Sequence, residues 1–345
     1  MRKVLITTNH PAPYMDKWFE AISEKYELTV VYHYQKDPDK AAKSWKNFTG
    51  YPGYFYEECA GKIKEIIRNQ DLVIIGGWNS KCCAKMLGLS FLYGKKTAVF
   101  TDYPFHQNKY ADLFKKYILY KKLDYVFCAT KSTEKFIQFK YHLPSEKTRF
   151  FPYAADLKVY PIKNVQSDKI RVLIANNFIE RKGYDILFKG LSEFAKRSIN
   201  LTERYEFHIA GHGPLFDKYK ELAKTIKLNI QFYGWCEPKQ YDELQSITDY
   251  YIHASIEEPF GIPPLDSMSR GKVTIVSDGV KSTDLLIKNG INGFVYPAHD
   301  YCKLAEILEQ LINVDSSSIG KQAQKDVLMM YGINKNVEAI DSCLE

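Results

Sequence analysis

The order of hydrophobic and polar positions in the first half of the chain alternates between two patterns. Short apolar runs such as Leu-Val-Ile-Ile at 72–75 are typical of strands buried on both faces of a parallel sheet. Longer stretches with a helical spacing of apolar residues lie between them. The pattern predicts strands near 3–8, 28–33, 71–76, 97–101 and 124–129, and helices near 14–24, 59–69, 79–92, 108–122 and 132–139.

The same alternation starts again in the second half. It predicts strands near 169–175, 205–210, 229–233, 249–253 and 272–276, and helices near 183–196, 214–226, 238–246 and 262–270. Repeated strand–helix units indicate an α/β protein with two doubly wound parallel sheets. We expect a first domain over residues 1–155 and a second over 156–329, with the polar stretch 156–168 as the hinge. A final helix, roughly 319–343, follows.

Composition adds a charge asymmetry to this picture. The chain has 345 residues and a formal net charge of +7, and 45% of its residues are hydrophobic, as in ordinary globular proteins. Residues 1–155 carry 25 Lys and Arg against 15 Asp and Glu, whereas the rest carries 23 against 26. The first half is therefore expected to face an anionic surface or acceptor. No recognisable nucleic-acid-binding module accompanies the positive charge, so we expect no nucleic-acid partner.

The cysteines and the N-terminus favour a cytoplasmic protein. The seven cysteines are an odd number without Cys-x-x-Cys spacing, and the adjacent Cys82 and Cys83 do not form an ordinary zinc pair. A reducing compartment is the simpler account, and we expect no metal site. Residues 1–8 read as a first strand rather than a signal peptide, and no apolar run is long enough to span a bilayer.

The most informative segment is 257–271, which holds two acids eight positions apart. Glu258 lies in a turn beside Gly261, and Asp266 falls in a helix that Pro263 and Pro264 open. A helix start favours an anion such as a diphosphate, and ionised carboxylates accept hydrogen bonds from sugar hydroxyls. Taken singly, Asp266 could be a first-turn acid that complements the helix dipole, and Glu258 an exposed loop charge. Together they suggest a nucleotide sugar.

The residues 258–266, Glu-Pro-Phe-Gly-Ile-Pro-Pro-Leu-Asp, resemble the Glu-x7-Glu signature of family four of the retaining glycosyltransferases, which have the GT-B fold. Four further segments resemble the same family in its usual order, and the resemblance covers nearly the whole chain. They are Ile-Glu-Arg-Lys-Gly at 179–183, Ile-Ala-Gly-His-Gly-Pro at 209–214, Phe-Tyr-Gly at 232–234 and Asn-Gly-Ile-Asn-Gly-Phe at 289–294. This family implies two Rossmann-like doubly wound domains facing a cleft, with a C-terminal helix, about 330–345, that packs back on the first domain.

The resemblance also implies roles for particular residues. Glu258 would contact the donor sugar, Asp266 the ribose, and Lys182 the leaving diphosphate, whose developing charge fixed cations stabilise. The family's arginine five or six residues before the lysine is replaced here by Asn176 and Asn177. Either Arg181 takes the place of that arginine, or diphosphate binding is weaker than in the family. In a second departure, the side chain of Asp266 is one methylene shorter than the family's glutamate.

Further donor contacts are expected on the same half of the chain. Backbone groups of Phe260, Gly261 and Ile262 would seat phosphate oxygens, and Trp235 and Cys236 match where the family holds the base. Asn177 and Gly211 are placed on the donor side too, although the glycines of 211–213 are also simple turn formers. In the first half, Asp102 is a catalytic candidate, although it could equally be a structural acid. The residues expected on the acceptor side are His10, Tyr14 and His106.

Two basic and aromatic stretches suit a membrane interface. One runs from Lys36 to Tyr56, and the other holds Lys115, Lys116, Lys121 and Lys122 beside Leu113, Tyr117 and Ile118. Solvated faces of a lysine-rich protein are an equal alternative, so a peripheral position at the inner membrane face stays open. The sequence thus predicts a metal-independent hexosyltransferase without cofactor, which uses a nucleotide diphosphate sugar and a glycan or lipid-linked acceptor. The alternative is an inactive nucleotide-sugar-binding subunit that supports a partner enzyme.

Overall fold

The computed structural model describes residues 1–33, 50–76, 80–105, 108–153, 157, 160–161 and 168–345. The chain divides into two compact units. Unit 1 comprises Met1–Asp156 together with Tyr331–Glu345, and unit 2 comprises Leu157–Met330. Each unit has its own parallel sheet and its own hydrophobic core.

Unit 1 contains a sheet of seven described strands, all parallel, in the order β3-β2-β1-β4-β5-β6-β7. The strands are β1 (Lys3–Thr8), β2 (Glu27–Tyr32), β3 (Tyr54–Phe55), β4 (Leu72–Gly76), β5 (Lys96–Thr101), β6 (Tyr125–Cys128) and β7 (Thr148–Phe150). The central strand β4 is buried over Leu72–Ile75, as its continuous apolar run predicts.

The helices of unit 1 are α1 (Pro13–Ser23), α2 (Tyr56–Cys59), α3 (Ile63–Arg68), α4 (Lys81–Leu92), α5 (Lys109–Phe114), α6 (Tyr120–Lys122), α7 (Lys131–Tyr141) and, from the C-terminus, α14 (Asn334–Leu344). Between α5 and α6 the backbone forms a π-helix over Lys115–Leu119. Helix α14 lies against α1, and the carboxylate of Asp341 accepts a hydrogen bond at 2.7 Å from Lys25, which follows α1. Asn336 is fully buried and donates to the carbonyl of Pro152 at 2.8 Å.

Unit 2 contains a sheet of six described strands, again all parallel, in the order β10-β9-β8-β11-β12-β13. The strands are β8 (Ile170–Ala175), β9 (Tyr205–Ala210), β10 (Asn229–Gly234), β11 (Tyr250–His253), β12 (Val273–Ser277) and β13 (Phe294–Tyr296). The helices are α8 (Tyr184–Arg197), α9 (Phe216–Ala223), α10 (Pro238–Ile247), α11 (Ile262–Ser269), α12 (Tyr301–Gln310) and α13 (Ser316–Tyr331), whose last residue belongs to unit 1.

The core of unit 2 is rich in aromatic side chains. Phe178 stacks on Tyr184 with ring centroids 3.9 Å apart, and both rings are buried. Phe188 and Phe194 of α8 extend this cluster toward α9 and β9. The stacked rings fix the segment between β8 and α8, which carries several predicted site residues.

The structure differs from the predicted elements in a few places. The single final helix expected near 319–343 is two helices, because α13 ends at Tyr331 and α14 begins at Asn334, with Gly332 and Ile333 between them. The sequence pattern gave no strand at β3, β7 or β13, and it gave no helix at α12. Among the described helices, none combines the length and the apolar composition needed to cross a bilayer.

Candidate functional site

The predicted donor-side residues of unit 2 follow the carboxyl ends of neighbouring strands, at one edge of the sheet. The segment after β8 is bonded to the segment after β9, with the amide of Asn176 donating to Ala210 O at 3.1 Å. It is also bonded to the segment after β11, with the amide of Ile256 donating to Arg181 O at 2.9 Å. In α/β sheets, ligands bind outside the carboxyl ends of the strands. These loops therefore form the candidate site.

Lys182 and Glu258 form a buried ion pair at the centre of this edge. The Lys182 ammonium donates to Glu258 Oε2, and the two side chains are 9% and 11% exposed. Arg181 reaches the same oxygen, with Nη1 at 3.5 Å, and also donates to Glu257 O at 3.1 Å. Because Arg181 is 43% exposed, it forms the accessible side of the cation pair.

Gly183 explains how Lys182 comes so close to the end of β11. Its φ of +67° closes the short turn at Glu180–Lys182 before α8 begins. A Cβ at this position would lie only 2.0 Å from the carbonyl oxygen of Ala254. Only glycine permits this approach, so the residue type at 183 is required for the position of Lys182.

His253 completes the surroundings of Glu258. The ring is fully buried, and its Nε2 lies 3.6 Å from Glu258 Oε2. Its Nδ1 lies 3.1 Å from the hydroxyl of Tyr251 and 3.3 Å from Asn176 Nδ2. Burial lowers the pKa of His253, which favours a neutral ring that donates from Nε2 to Glu258.

Glu258 is held in its ionised form. Burial alone would raise its pKa, but the hydrogen bond from His253 and the nearby charge of Lys182 outweigh burial and hold the pKa well below its usual value. Its backbone is fixed as well, since its amide donates to Gly279 O at 3.0 Å and its carbonyl accepts from Lys281 N at 3.1 Å. Glu258 is therefore an oriented carboxylate with a permanent negative charge.

Helix α11 begins directly after this acid, at Ile262, with Gly261 as its first flanking residue. The two prolines at 263 and 264 lack an N–H, so among the first helical positions the amide donors come from Ile262 and Leu265. Phe260 and Gly261 are buried, and Ser282 Oγ donates to the carbonyl of Gly261 at 3.1 Å. An anion at this helix start would rely on fewer amides than a helix without prolines offers.

Asp266 has a different environment from Glu258. Its carboxylate accepts from Arg270 Nε at 3.1 Å and from the hydroxyl of Tyr241 at 3.2 Å. Arg270 also pairs with Asp242 at 2.7 Å and lies over the ring of Tyr160. Burial raises the pKa of Asp266, and the pairing with Arg270 offsets this only in part. Arg270, four residues on, is a partner that the motif reasoning missed.

The asparagines that replace the family's arginine lie on opposite sides of their segment. Asn176 faces His253, as described above, while Asn177 is exposed. Gly211 packs against this segment, where a Cβ would lie 1.8 Å from Asn176 O, and its φ is +131°. A side chain at 211 would push the two loops apart, so Gly211 acts by permitting close approach.

Trp235 and Cys236 follow β10 at the same edge of the sheet. The indole is 46% exposed, and the cysteine is partly buried. The amide of Gly211 donates to the carbonyl of Gly234 at 2.6 Å, which joins this loop to the one after β9. An exposed aromatic ring beside that joint offers a flat surface for a nucleobase.

In unit 1, Asp102 and His10 line a cavity of about 510 Å³. The cavity lies at the carboxyl ends of β1, β4 and β5, and Tyr153 donates to Asp102 Oδ2 at 3.2 Å. Lys115 also lines it and lies 3.9 Å from Asp112. The structure therefore brings an acid, an imidazole and an ammonium group around one cavity of this unit.

Two of the acceptor-side predictions fall outside the described part of the structure. They are His106 and the side chain of Tyr14, although the backbone at Tyr14 lies in α1. Most of the basic stretch 36–56 also lies outside the described residues. The sequence reasoning missed His253, although its position at the last residue of a strand could have identified it as facing the carboxyl-end edge.

Comparisons with known proteins bear on the family and the fold of the chain. The family described as glycosyl transferases group 1 matches residues 159–326. Mannosylfructose-phosphate synthase of Agrobacterium fabrum is 24% identical over 214 residues, which are 53% of this chain and 45% of that protein. The poly(glycerol-phosphate) alpha-glucosyltransferase of Bacillus subtilis is 26% identical over 200 residues, 56% of this chain and 28% of that protein. The chain thus spans less than half of the length of these curated relatives.

Solved structures resemble the chain over its full length. HepE of Anabaena, in complex with UDP and glucose, gives a TM-score of 0.73 at 16% identity and covers 99% of both chains. The lipopolysaccharide outer core galactosyltransferase WaaB gives 0.74 at 18% identity, also with 99% of both chains covered. These similarities establish the GT-B fold with its two Rossmann-like units. The match to the glycosyl transferases group 1 family spans residues 159–326, just under half of the chain, and falls within unit 2.

Proposed function

We propose that this protein transfers a hexose from a nucleotide diphosphate sugar to a glycan or lipid-linked acceptor, with retention at the anomeric carbon. The single observation that carries the proposal is the group Lys182, Arg181, Glu258 and His253 at the carboxyl ends of the unit 2 strands. Cations for a diphosphate and an ionised acid for hydroxyl groups are held there side by side. The UDP and UDP-sugar complexes of HepE support a nucleotide donor.

The arrangement suits stabilisation of a leaving group. As the bond between the anomeric carbon and the phosphate oxygen breaks, negative charge develops on the diphosphate, and Lys182 and Arg181 are fixed near one another to meet it. The acceptor oxygen forms the new bond to that carbon, and its proton passes to the leaving phosphate. No protein nucleophile and no metal enters this scheme, in which Glu258 orients the sugar.

Donor binding requires that Lys182 divide its interaction between Glu258 and the phosphate. Replacing Glu258 by Gln keeps the shape but removes the charge that holds the ammonium group. We therefore expect Glu258→Gln to bind UDP at least as tightly as the unmodified protein, while sugar transfer falls by about 100-fold or more, the scale of a lost transition-state contact. Lys182→Met should weaken both UDP binding and transfer.

The experiment combines calorimetric titration with UDP and GDP, a thermal-shift screen of nucleotide sugars, and donor hydrolysis measured by released nucleoside diphosphate. Lys189→Met is the matched control, because Lys189 lies one turn along α8 and its side chain is 60% exposed. The control should bind and hydrolyse like the unmodified protein. Equal loss in Lys189→Met and Lys182→Met, or no nucleotide binding by the unmodified protein, contradicts the proposal.

The second candidate is a nucleotide-sugar-binding subunit without catalysis. The pairing of Asp266 with Arg270 favours it, because that acid is already satisfied within its own helix. Tight binding of a nucleotide sugar without hydrolysis or transfer, under conditions that keep the protein folded, would support this alternative over the enzyme.

We also propose that unit 1 binds anionic membrane surfaces through the exposed face of 109–122. Five apolar side chains at helical spacing are between 45% and 81% exposed: Tyr110, Leu113, Phe114, Tyr117 and Ile118. The ammonium groups of Lys116 and Lys121 lie 5.7 Å and 5.8 Å from the centroid of the Tyr117 ring. Lysines beside aromatic rings suit the lipid–water boundary.

Sedimentation with phosphatidylserine vesicles tests this surface. Tyr117→Ser should reduce the bound fraction at low salt, and neutral phosphatidylcholine vesicles should bind far less. Phe139→Ser is the control, since Phe139 lies on α7 and is 85% exposed, so it removes a comparable apolar side chain elsewhere. If Phe139→Ser and Tyr117→Ser reduce binding equally, the surface is wrong.

A further inference from the structure

A buried cluster in unit 1 lies apart from the residues assigned above. His33, which follows β2, meets Cys82 and Cys83 in the first turn of α4. The three side chains are buried, and their donor atoms all lie within 4.8 Å of one another. Cys83 Sγ lies 3.3 Å from His33 Nε2. No sequence pattern groups residues that lie about fifty positions apart.

The geometry matches a small metal ion with soft ligands. Zinc bonds of about 2.3 Å to sulfur and about 2.0 Å to nitrogen place tetrahedral donors roughly 3.5–3.8 Å apart. The donor atoms of the cluster, all within 4.8 Å of one another, lie near that spacing. Two thiols and an imidazole are the donor types that zinc takes in proteins, and they are poor ligands for magnesium or calcium.

The neighbours of the cluster also suit metal binding. Asn9 Oδ1 lies 3.2 Å from His33 Nδ1, so a ring proton on Nδ1 would leave Nε2 facing the thiols.

We propose that His33, Cys82 and Cys83 bind one Zn²⁺ ion, which joins the end of β2 to the start of α4 in unit 1. Binding releases the thiol protons of Cys82 and Cys83, because the metal takes thiolates. The proposed zinc site has no part in the sugar-transfer scheme. Failure of one proposal therefore does not decide the other. The role of the zinc site would be to fix the loops beside the cavity, which Asn9 also lines.

The test uses the full-length reduced protein, stripped of metal by a chelator and then titrated with Zn²⁺ in competition with a chromophoric chelator. We expect one equivalent to bind. Co²⁺ in place of Zn²⁺ should give a thiolate-to-cobalt charge-transfer band in the near ultraviolet. Absence of stoichiometric zinc binding, or of that band, in the unmodified protein overturns the proposal without any variant.

Variants then locate the site. Cys82→Ser and His33→Gln should each weaken Zn²⁺ binding at least tenfold and alter the Co²⁺ band. Cys128→Ser is the matched control, because Cys128 is a fully buried cysteine of unit 1 whose thiol bonds to Val126 O instead. Circular dichroism checks folding of each variant. Equal losses in all three variants, or unchanged binding in Cys82→Ser and His33→Gln, contradict the assignment.

Discussion

Removal of one charge from the Lys182–Glu258 pair is the perturbation that tests the candidate site most directly. The two side chains are 9% and 11% exposed, so either charge left alone would be buried with less compensation. Three variants make the test: Glu258→Gln, Lys182→Met and the two changes together. The double variant removes both charges, and it therefore avoids leaving a single buried ion.

The structure sets the expected magnitudes. Breaking a buried ion pair from one side costs about 3–5 kcal/mol. In Lys182→Met the acid keeps Arg181 at 3.5 Å and His253 at 3.6 Å, so the cost should fall near the lower limit. Glu258→Gln should cost more. The double variant should lose less than the sum, with a coupling free energy of about 2 kcal/mol, within the usual range for residues in contact.

The pH dependence of stability gives an independent check that ionised Glu258 stabilises unit 2. The folded-state pKa of Glu258 lies below its usual value of 4.5, so its contribution to stability is complete above that value. As pH falls below 4.5, the unfolded chain takes up the proton first and the contribution is progressively lost. Glu258→Gln should therefore flatten the acid limb of the stability profile between about pH 5 and pH 2.

The assay has to report on unit 2 alone, since a chain with two units need not unfold in one step. Trp235 is the single tryptophan of residues 157–330, because the other three of the chain are Trp18, Trp45 and Trp78. In protein labelled with 5-fluorotryptophan, the ¹⁹F NMR signal that disappears in Trp235→Phe follows the urea unfolding of this unit. A coupling free energy below about 0.5 kcal/mol, or an unchanged acid limb in Glu258→Gln, would refute the reasoning.

Three further predictions follow from single contacts. Gly211→Ala should destabilise unit 2 by about 3 kcal/mol or more and reduce UDP binding, because the added Cβ would lie 1.8 Å from Asn176 O. Urea unfolding measures the loss of stability and calorimetry measures UDP binding. A stability loss under about 1 kcal/mol contradicts this prediction. Arg270→Met should cost about 3 kcal/mol at pH 7 but less at pH 4, because burial raises the pKa of Asp266 and a larger fraction of the acid is protonated at the lower pH. An equal loss at both pH values would argue against the pair. His142→Gly should stabilise unit 1 by about 1 kcal/mol in urea unfolding, because His142 has a φ of 53° at the end of α7, where a glycine backbone carries no strain. A destabilised variant would show that contacts of the imidazole ring compensate for the backbone strain.

The sequence pattern predicted the long, buried elements because their periodicity comes from burial itself. The strand 205–210 was predicted with the bounds that the structure has, and β8 and β5 begin within one residue of the predicted start. The missed strands β3, β7 and β13 have only two or three residues. Such short runs carry no periodicity, and they become strands only because a neighbouring strand offers its free edge.

The functional residues likewise fall into those that the sequence predicted and those that it missed. Glu258 and Lys182 were recognisable because their spacing within ordered motifs is a local property of the chain. His253 was missed because its role depends on a contact with Glu258 across a turn, and Cys83 because it lies in α4 whereas its partner His33 follows β2. The pairing of Arg270 with Asp266 could have been found, since residues four apart on a helix face each other.

The two acids of the Glu-x7-Asp motif differ in a way that spacing does not reveal. Glu258 is surrounded by groups that lower its pKa, whereas burial raises that of Asp266 and Arg270 counters it only in part. An ionised acid beside two cations can hold a sugar hydroxyl without further change. The carboxylate of Asp266 is oriented by Arg270 Nε at 3.1 Å and by the hydroxyl of Tyr241 at 3.2 Å, and its remaining lone pairs are the acceptors that the proposed ribose contact would use. In the proposed donor complex, recognition by Asp266 therefore depends on Arg270, which orients the carboxylate, whereas recognition by Glu258 depends on Lys182.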